Sequence, residues 1–215
     1  MRERTRELHR RAERSGVIAE LLAGRIRPEA YLLFAFNLLP IYETLEAALR
    51  ERADLPALAG LLRPELERRT PLARDVALLA GTHPSVALRL LPASIAYRRH
   101  LERVAGHDPE RLLAHAYVRY LGDLSGGQVL RRLLARTPGI GPDAVRFYEF
   151  PGLDDLGRAK TAYRRTIDAA RAHLRDPAGV IEEACEAFRL TIALARGVAE
   201  AAAPAQADFR PSSSA

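Results

Sequence analysis

Between Ala116 and Leu130 the chain reads AYVRYLGDLSGGQVL, in which Gly122, Gly126 and Gly127 interrupt a helical apolar rhythm of Leu121, Leu124, Val129, Leu130, Leu133 and Leu134. An interior helical glycine costs about 0.5–1 kcal/mol relative to alanine, so the three together forgo roughly 2–3 kcal/mol. Bare backbone of this kind serves close approach, either by another helix or by a flat ligand. Asp123 lies inside the same run, and a carboxylate beside a naked backbone surface can organise water over whatever lies there. Two further groupings could carry chemistry. His9 and Glu13 are four residues apart and share one helical face; taken alone, such a histidine is far more often solvated or structural than a ligand. Among the 33 Lys and Arg residues only Lys160 is a lysine. Lys160 and Arg164 share a helical face with Tyr163 beside them, a placement equally suited to an anion and to solvent.

The elements that must position these groups read as helices throughout. Leu8, Ala12, Ser15, Ala19 and Leu22 form the stripe of a first helix that Gly24 ends. Pro28 opens a second, running to about Asp54, with Tyr31, Phe34, Leu38, Tyr42, Leu45 and Leu49 as its apolar face. A connector marked by Pro56, Gly60, Pro64 and Pro71 follows, then short helices over Pro71–Ala80, Pro84–Leu91 and Pro92–Ala105. Asp108 as N-cap and Pro109 as first helical residue start the long glycine-bearing helix, which ends near Arg136. Residues 137–152 read as loop with a short extended piece around Phe147 and Phe150; helices over Asp154–Arg175 and Pro177–Ala203 complete the chain. With no alternating strand and no internal repeat, the predicted fold is a single all-α domain over residues 1–203, followed by a polar, disordered C-terminal tail over residues 204–215.

Composition narrows the class. A chain of 215 residues with 48% hydrophobic content suffices for one well-buried domain. The net charge is +6, but the signs alternate, as in Arg2, Glu3, Arg4, Arg6 and Glu7. That argues against a nucleic-acid arm and for an anionic small ligand or an acidic protein partner. The lone cysteine, Cys185, reads as a small buried helix residue and permits no internal disulfide, so a reducing cytoplasm is the expected compartment. The N-terminus lacks the apolar core of a signal peptide. The uncharged run Ala30–Tyr42 falls short of the roughly 20 residues a bilayer needs.

The run Tyr117, Arg119, Tyr120, Leu121, Gly122, Asp123, Leu124, Ser125, Gly126, Gly127 and Gln128 resembles the distal-helix signature of the heme oxygenases, and the resemblance extends over roughly residues 1–200. It implies an all-α bundle with heme b, both cofactor and substrate, sandwiched between a proximal helix and a kinked distal one. Carried over residue by residue, it makes His9, in TRELHRRAE, the axial ligand of the heme iron, with Glu13 orienting its ring. Gly122, Ser125, Gly126 and Gly127 would lie against the heme face, with Phe188 lining the pocket. Lys160, Tyr163 and Arg164 would bind the propionates, helped by Arg2 or Arg6. Tyr42, Tyr117, Arg119 and Asp123 would form a distal polar network, Asp123 holding water beside the dioxygen. The implied reaction cleaves heme to biliverdin, carbon monoxide and ferrous iron. Dioxygen and external electrons are required, and the chain has no Gly-rich dinucleotide motif or CxxC cluster. A reductase or ferredoxin with an acidic face is therefore the expected partner of a monomer that binds no nucleic acid.

The likeness is to the soluble, bacterial-type members, since the chain shows no apolar C-terminal anchor. It departs from the mammalian-type pattern at Thr191, where those members carry asparagine, and at Pro40, which should kink the second helix and turn Tyr42. His83, His100, His107, His115 and His173 match no ligand position of the family. The rival readings are a heme-binding carrier or sensor, which would need His9 and the propionate contacts but not the Asp123 network, and a cofactor-free thiaminase-type bundle, for which Cys185 lacks a nucleophile's setting.

Overall fold

The computed structural model describes residues 1–203; the expectation for the tail, residues 204–215, lies outside the described residues. Nine α-helices are present among them, joined by turns and short 3-10 segments, with no strand. The helices are α1 (Arg2–Glu13), α2 (Gly16–Leu22), α3 (Pro28–Glu51), α4 (Arg69–Thr82), α5 (Pro92–His107), α6 (Leu112–Ser125), α7 (Gly127–Ala135), α8 (Leu156–Ala170) and α9 (Pro177–Ala202). The expected all-α architecture is therefore the observed one.

Helix α3 forms the centre because it is apolar on nearly every side: Ala30 to Ala35 are all buried, as are Leu38, Ile41, Tyr42, Leu45 and Leu49. It is long and apolar enough to cross a membrane, yet 67% of its most apolar window is buried inside the fold, as befits a core helix. Pro40 sits within it and the helix continues to Glu51, so the proline does not divide the element. Helices α4, α5 and α9 pack on α3, while α9 also meets α1, α2 and α6. Small buried residues of α9, Ala184, Ala187 and Ala195, give those neighbours close access. Asp155 caps α8 by accepting from the Gly157 and Arg158 amides, and Asp176 caps α9 by accepting from Gly179.

The departures from periodicity have tertiary causes. The first predicted helix is two, α1 and α2, because Gly16 has φ +47° and its backbone lies directly against that of Ala195. The break shifts the buried set from Leu22, which is exposed, to Val17 and Leu21. Residues 84–91 form no helix. Instead the buried Asn37 side chain donates to the Arg89 carbonyl and accepts from the Leu91 amide, holding that stretch open. Asp108 does not cap by its side chain; it pairs with Arg111, and the 3-10 turn Pro109–Arg111 precedes α6. The segment 137–152 has two 3-10 turns, Pro142–Ala144 and Arg146–Tyr148, in place of an extended piece. Cys185 is half-buried rather than buried.

A β-carbon at position 16 would collide with the Ala195 backbone while occupying a conformation that side chains disfavour. Gly16→Ala should therefore destabilise by at least about 2 kcal/mol. Chemical denaturation measures this; an unchanged midpoint would show that α2 can shift away from α9 freely.

Candidate active site

The glycine run is where α6 gives way to α7. Gly126 keeps right-handed helical dihedrals, φ −78° and ψ −27°, and its amide still donates to the Gly122 carbonyl at 2.8 Å. The regular ladder lapses only at this residue, so the element is a helix interrupted at one position rather than a turn. The three glycines have different neighbours. A β-carbon on Gly127 would stand 3.0 Å from the Tyr148 ring, so here bare backbone admits an aromatic side chain. At Gly122 nothing lies within 4 Å, and at Gly126 the nearest atom is its own helix's Gly122 carbonyl oxygen. Among the described residues no other helix comes within 4 Å of a β-carbon at either of these two exposed glycines. Ser125 between them is exposed as well.

Tyr148 is held there by buried polar anchors. Asp75 accepts from the Arg146 and Phe147 amides at 3.1 and 2.7 Å. Burial pushes its carboxyl up to about 6 even though both amides pull it down. Arg68, also buried, donates to the carbonyls of Glu65, Leu66, Phe147 and Glu149. Gln128 of α7 donates to the Tyr148 carbonyl at 2.8 Å. None of these anchors was visible in the sequence, because their partners are amides and carbonyls that any residue supplies.

On the wall beside the open glycines, the Tyr42 hydroxyl donates to Asp123 Oδ2 at 2.7 Å, so Pro40 leaves Tyr42 directed at the run. Burial lifts the Asp123 carboxyl to about 6, opposed by nearby Arg119, by the Tyr42 hydrogen bond and by Arg68. Asp123 and Arg119 form no direct ion pair; Arg119 Nη2 instead donates to Thr191 Oγ1 at 2.7 Å. The hydroxyl at the departing position thus serves as an acceptor. Tyr117 lies half-buried beside a small apolar cluster of Ala12, Val118, Ala187, Phe188 and Ile192.

That cluster joins α1 to the wall. Val118 is one turn before Gly122 on α6, and Phe188 of α9 meets the His9 ring edge-on at 5.7 Å between centroids. His9 is 56% exposed and its Nδ1 is 3.6 Å from Glu13 Oε1, an ion-pair distance longer than a hydrogen bond. His9 Nε2 takes no partner among the described residues. On α8, Lys160 is half-buried and Arg164 exposed, and neither is ion-paired among the described residues. Arg2 and Arg6, exposed on α1, are likewise unpaired there. Tyr163 departs from expectation. It points into the core, with its hydroxyl donating to the Leu61 carbonyl at 3.1 Å, because one residue's step around α8 from Arg164 reaches the buried face.

The chain matches the heme oxygenase family model over residues 1–197. It is 37% identical over 198 residues to heme oxygenase 1 of Rattus norvegicus, a match covering 90% of this chain and 68% of that protein. The chain belongs to the heme oxygenase family. The structure of Synechocystis heme oxygenase-2 in complex with heme and NO superposes with a TM-score of 0.80 at 31% identity, covering 92% of this chain and 82% of that one. Heme oxygenase from Leptospira interrogans gives 0.83 at 29%, covering 91% and 96%. A heme oxygenase needs a flat wall for a macrocycle, a nitrogen donor for iron and cations for two carboxylates. The open backbone at Gly122 and Gly126, the exposed His9 imidazole and the unpaired Lys160, Arg164, Arg2 and Arg6 are of those kinds, so the residues present fit heme.

Sequence reasoning missed a second polar centre. His115, completely buried on α6, contacts Glu183 Oε1 through Nε2 at 2.9 Å and the Tyr97 hydroxyl through Nδ1 at 3.2 Å. His100 Nε2 reaches the same carboxylate oxygen. Burial alone would raise the Glu183 carboxyl, but the two imidazoles override it and hold it down at about 2. No local signal could have joined residues so distant in the chain. His83 ends α4, and its Nε2 bonds the Gly139 carbonyl at 2.7 Å.

Tyr42→Phe removes a hydrogen bond that favours the ionised carboxylate. The Asp123 titration should therefore move up from about 6, by an amount that carbon-13 carboxyl NMR across pH 4–8 would read. A shift downward, or none, would mean that Tyr42 does not govern this carboxyl.

Proposed function

We propose that this chain is a heme-degrading oxygenase, converting heme to biliverdin, carbon monoxide and ferrous iron with dioxygen and externally supplied electrons. The observation that carries this reading is the pairing of open helical backbone at Gly122 and Gly126 with an adjacent Tyr42–Asp123 hydrogen bond. A carrier requires the first but has no use for the second. Bound heme supplies both the iron at which dioxygen is reduced and the porphyrin carbon that is oxidised.

In this reading His9 holds the heme by Nε2 while Glu13 faces Nδ1 and biases the ring's tautomer. Gly122, Ser125 and Gly126 let the distal backbone lie against the macrocycle, and Gly127 sets the bend through Tyr148. Phe188 closes the side of the cleft beside His9. Lys160 and Arg164, with Arg2 or Arg6, orient the two propionates; Tyr163 supports α8 from within. Asp123, ionised at neutral pH and bonded by Tyr42, accepts hydrogen bonds from water and passes a proton at its carboxylate oxygens. Arg119, tied to Thr191, keeps positive charge beside that carboxylate, and Tyr117 borders the same cleft. Electrons come from a reductase or ferredoxin whose acidic face meets the net positive surface of a monomer in the cytoplasm.

Heme, dioxygen and ascorbate or a reductase should replace the Soret band with biliverdin absorption. His9→Ala should abolish this turnover, with partial rescue by imidazole. Asp123→Ala, with Asp123→Asn as the near-isosteric control, should bind heme almost normally but lose biliverdin yield and gain peroxidase-like oxidation of a phenol. Full biliverdin formation by both Asp123 variants would remove that residue from proton delivery. A wild-type chain that binds heme and leaves it intact would favour the carrier.

Exposed charge pairs contribute only about 0.2–1 kcal/mol each, so replacing Lys160 and Arg164 by alanine together should disturb heme orientation more than affinity. Chromatography of the products should show mixed biliverdin isomers. A single isomer formed at wild-type heme affinity would sink the propionate assignment.

A further inference from the structure

Two imidazoles and one carboxylate converge behind the distal helix, away from the open glycines. His100 comes from α5, His115 from α6 and Glu183 from α9, and the His100 Nε2, His115 Nε2 and Glu183 carboxylate oxygen all lie within 4.8 Å of one another. We infer that His100, His115 and Glu183 form a binding site for a single borderline transition-metal dication of the Zn2+ type. The site is distinct from the heme cleft.

The donor set selects the ion. Two neutral nitrogens and one carboxylate, with a fourth position for water, is the ligand pattern of open tetrahedral zinc sites. Ca2+ and Mg2+ prefer several oxygen donors, which this centre lacks. The Tyr97 hydroxyl lies 3.2 Å from His115 Nδ1 and fixes that ring with Nε2 toward Glu183. Entry is available from one side only. The His115 side chain is fully buried and that of Glu183 is 6% exposed, while that of His100 is 19% exposed.

The metal must displace existing contacts. Glu183 Oε1 now lies 2.5 Å from His100 Nε2 and 2.9 Å from His115 Nε2, whereas donors around a tetrahedral ion stand about 3.3 Å apart. His100, at the surface end, is free to supply that small opening. Its Nδ1 is 3.3 Å from Arg103 Nη2, and Arg111 Nη1 is 3.9 Å from Glu183 Oε2. These two guanidinium groups oppose a dication, which places the site among exchangeable rather than permanent ones. Once bound, the ion ties α5 and α9 to the N-terminal half of α6, the helix that carries Asp123 and Gly122.

The test is a Zn2+ titration of the heme-free chain against a chromophoric chelator, paired with thermal unfolding in Zn2+, Mg2+ and Ca2+. Wild type should take one Zn2+ and unfold at higher temperature with Zn2+ only. His100→Ala and His100→Gln should bind at least tenfold more weakly and lose the thermal shift, and each should fold, since His100 is partly exposed. His9→Ala should bind Zn2+ as wild type does, which separates this centre from His9 and Glu13. Failure of the wild type to compete for Zn2+ overturns the inference, as does undiminished binding by the His100 variants or loss of binding in His9→Ala.

Discussion

The close seat of Tyr148 on Gly127 sets the packing where α6 gives way to α7. An aromatic ring stands 3.0 Å from where a β-carbon would be, so the start of α7 packs against a side chain that only bare backbone admits. The loop that carries the ring is tied down by Asp75, Arg68 and Gln128. Those ties are to backbone groups, each of which would otherwise be a buried unpaired donor or acceptor. Downstream of this contact α7 continues to Ala135, while the backbone at Gly122 and Gly126 stays open.

Helix α9 performs the complementary task on the proximal side. Its small residues admit α1 and α2, and Gly16 allows the α1–α2 junction to rest against Ala195. Phe188 then meets His9, and three residues further Thr191 receives Arg119 from the distal helix. One element therefore contacts both α1 and α6. The Asp123 carboxyl, raised to about 6 by burial but restrained by Tyr42 and Arg119, stays ionised at neutral pH while remaining close to titration. A group so placed is suited to exchanging protons with water.

Much of this was legible in local pattern. Prolines opening α3, α5 and α9 and 3.6-residue apolar stripes determined the all-α class and most helix positions. The AYVRYLGDLSGGQVL run announced bare backbone in a helix, and the long match with one family gathered His9, Asp123, Lys160 and Arg164 into one hypothesis. These features are legible because helix propensity, capping and spacing act within a few residues of chain.

Contacts between distant segments decided the rest. Periodicity could not tell that Gly16 splits the first helix, that Asn37 keeps residues 84–91 from coiling, or that Tyr163 turns inward to Leu61. Nor could it sort the three glycines into one that admits Tyr148 and two that face open space. The His100–His115–Glu183 centre joins residues as far as 83 positions apart. By itself, then, the sequence determined that the elements are helices, where most of them lie and which chemical groups they carry. Tertiary packing alone decided which of those groups meet, because burial and partner distance depend on surfaces that only come together once the whole chain has folded.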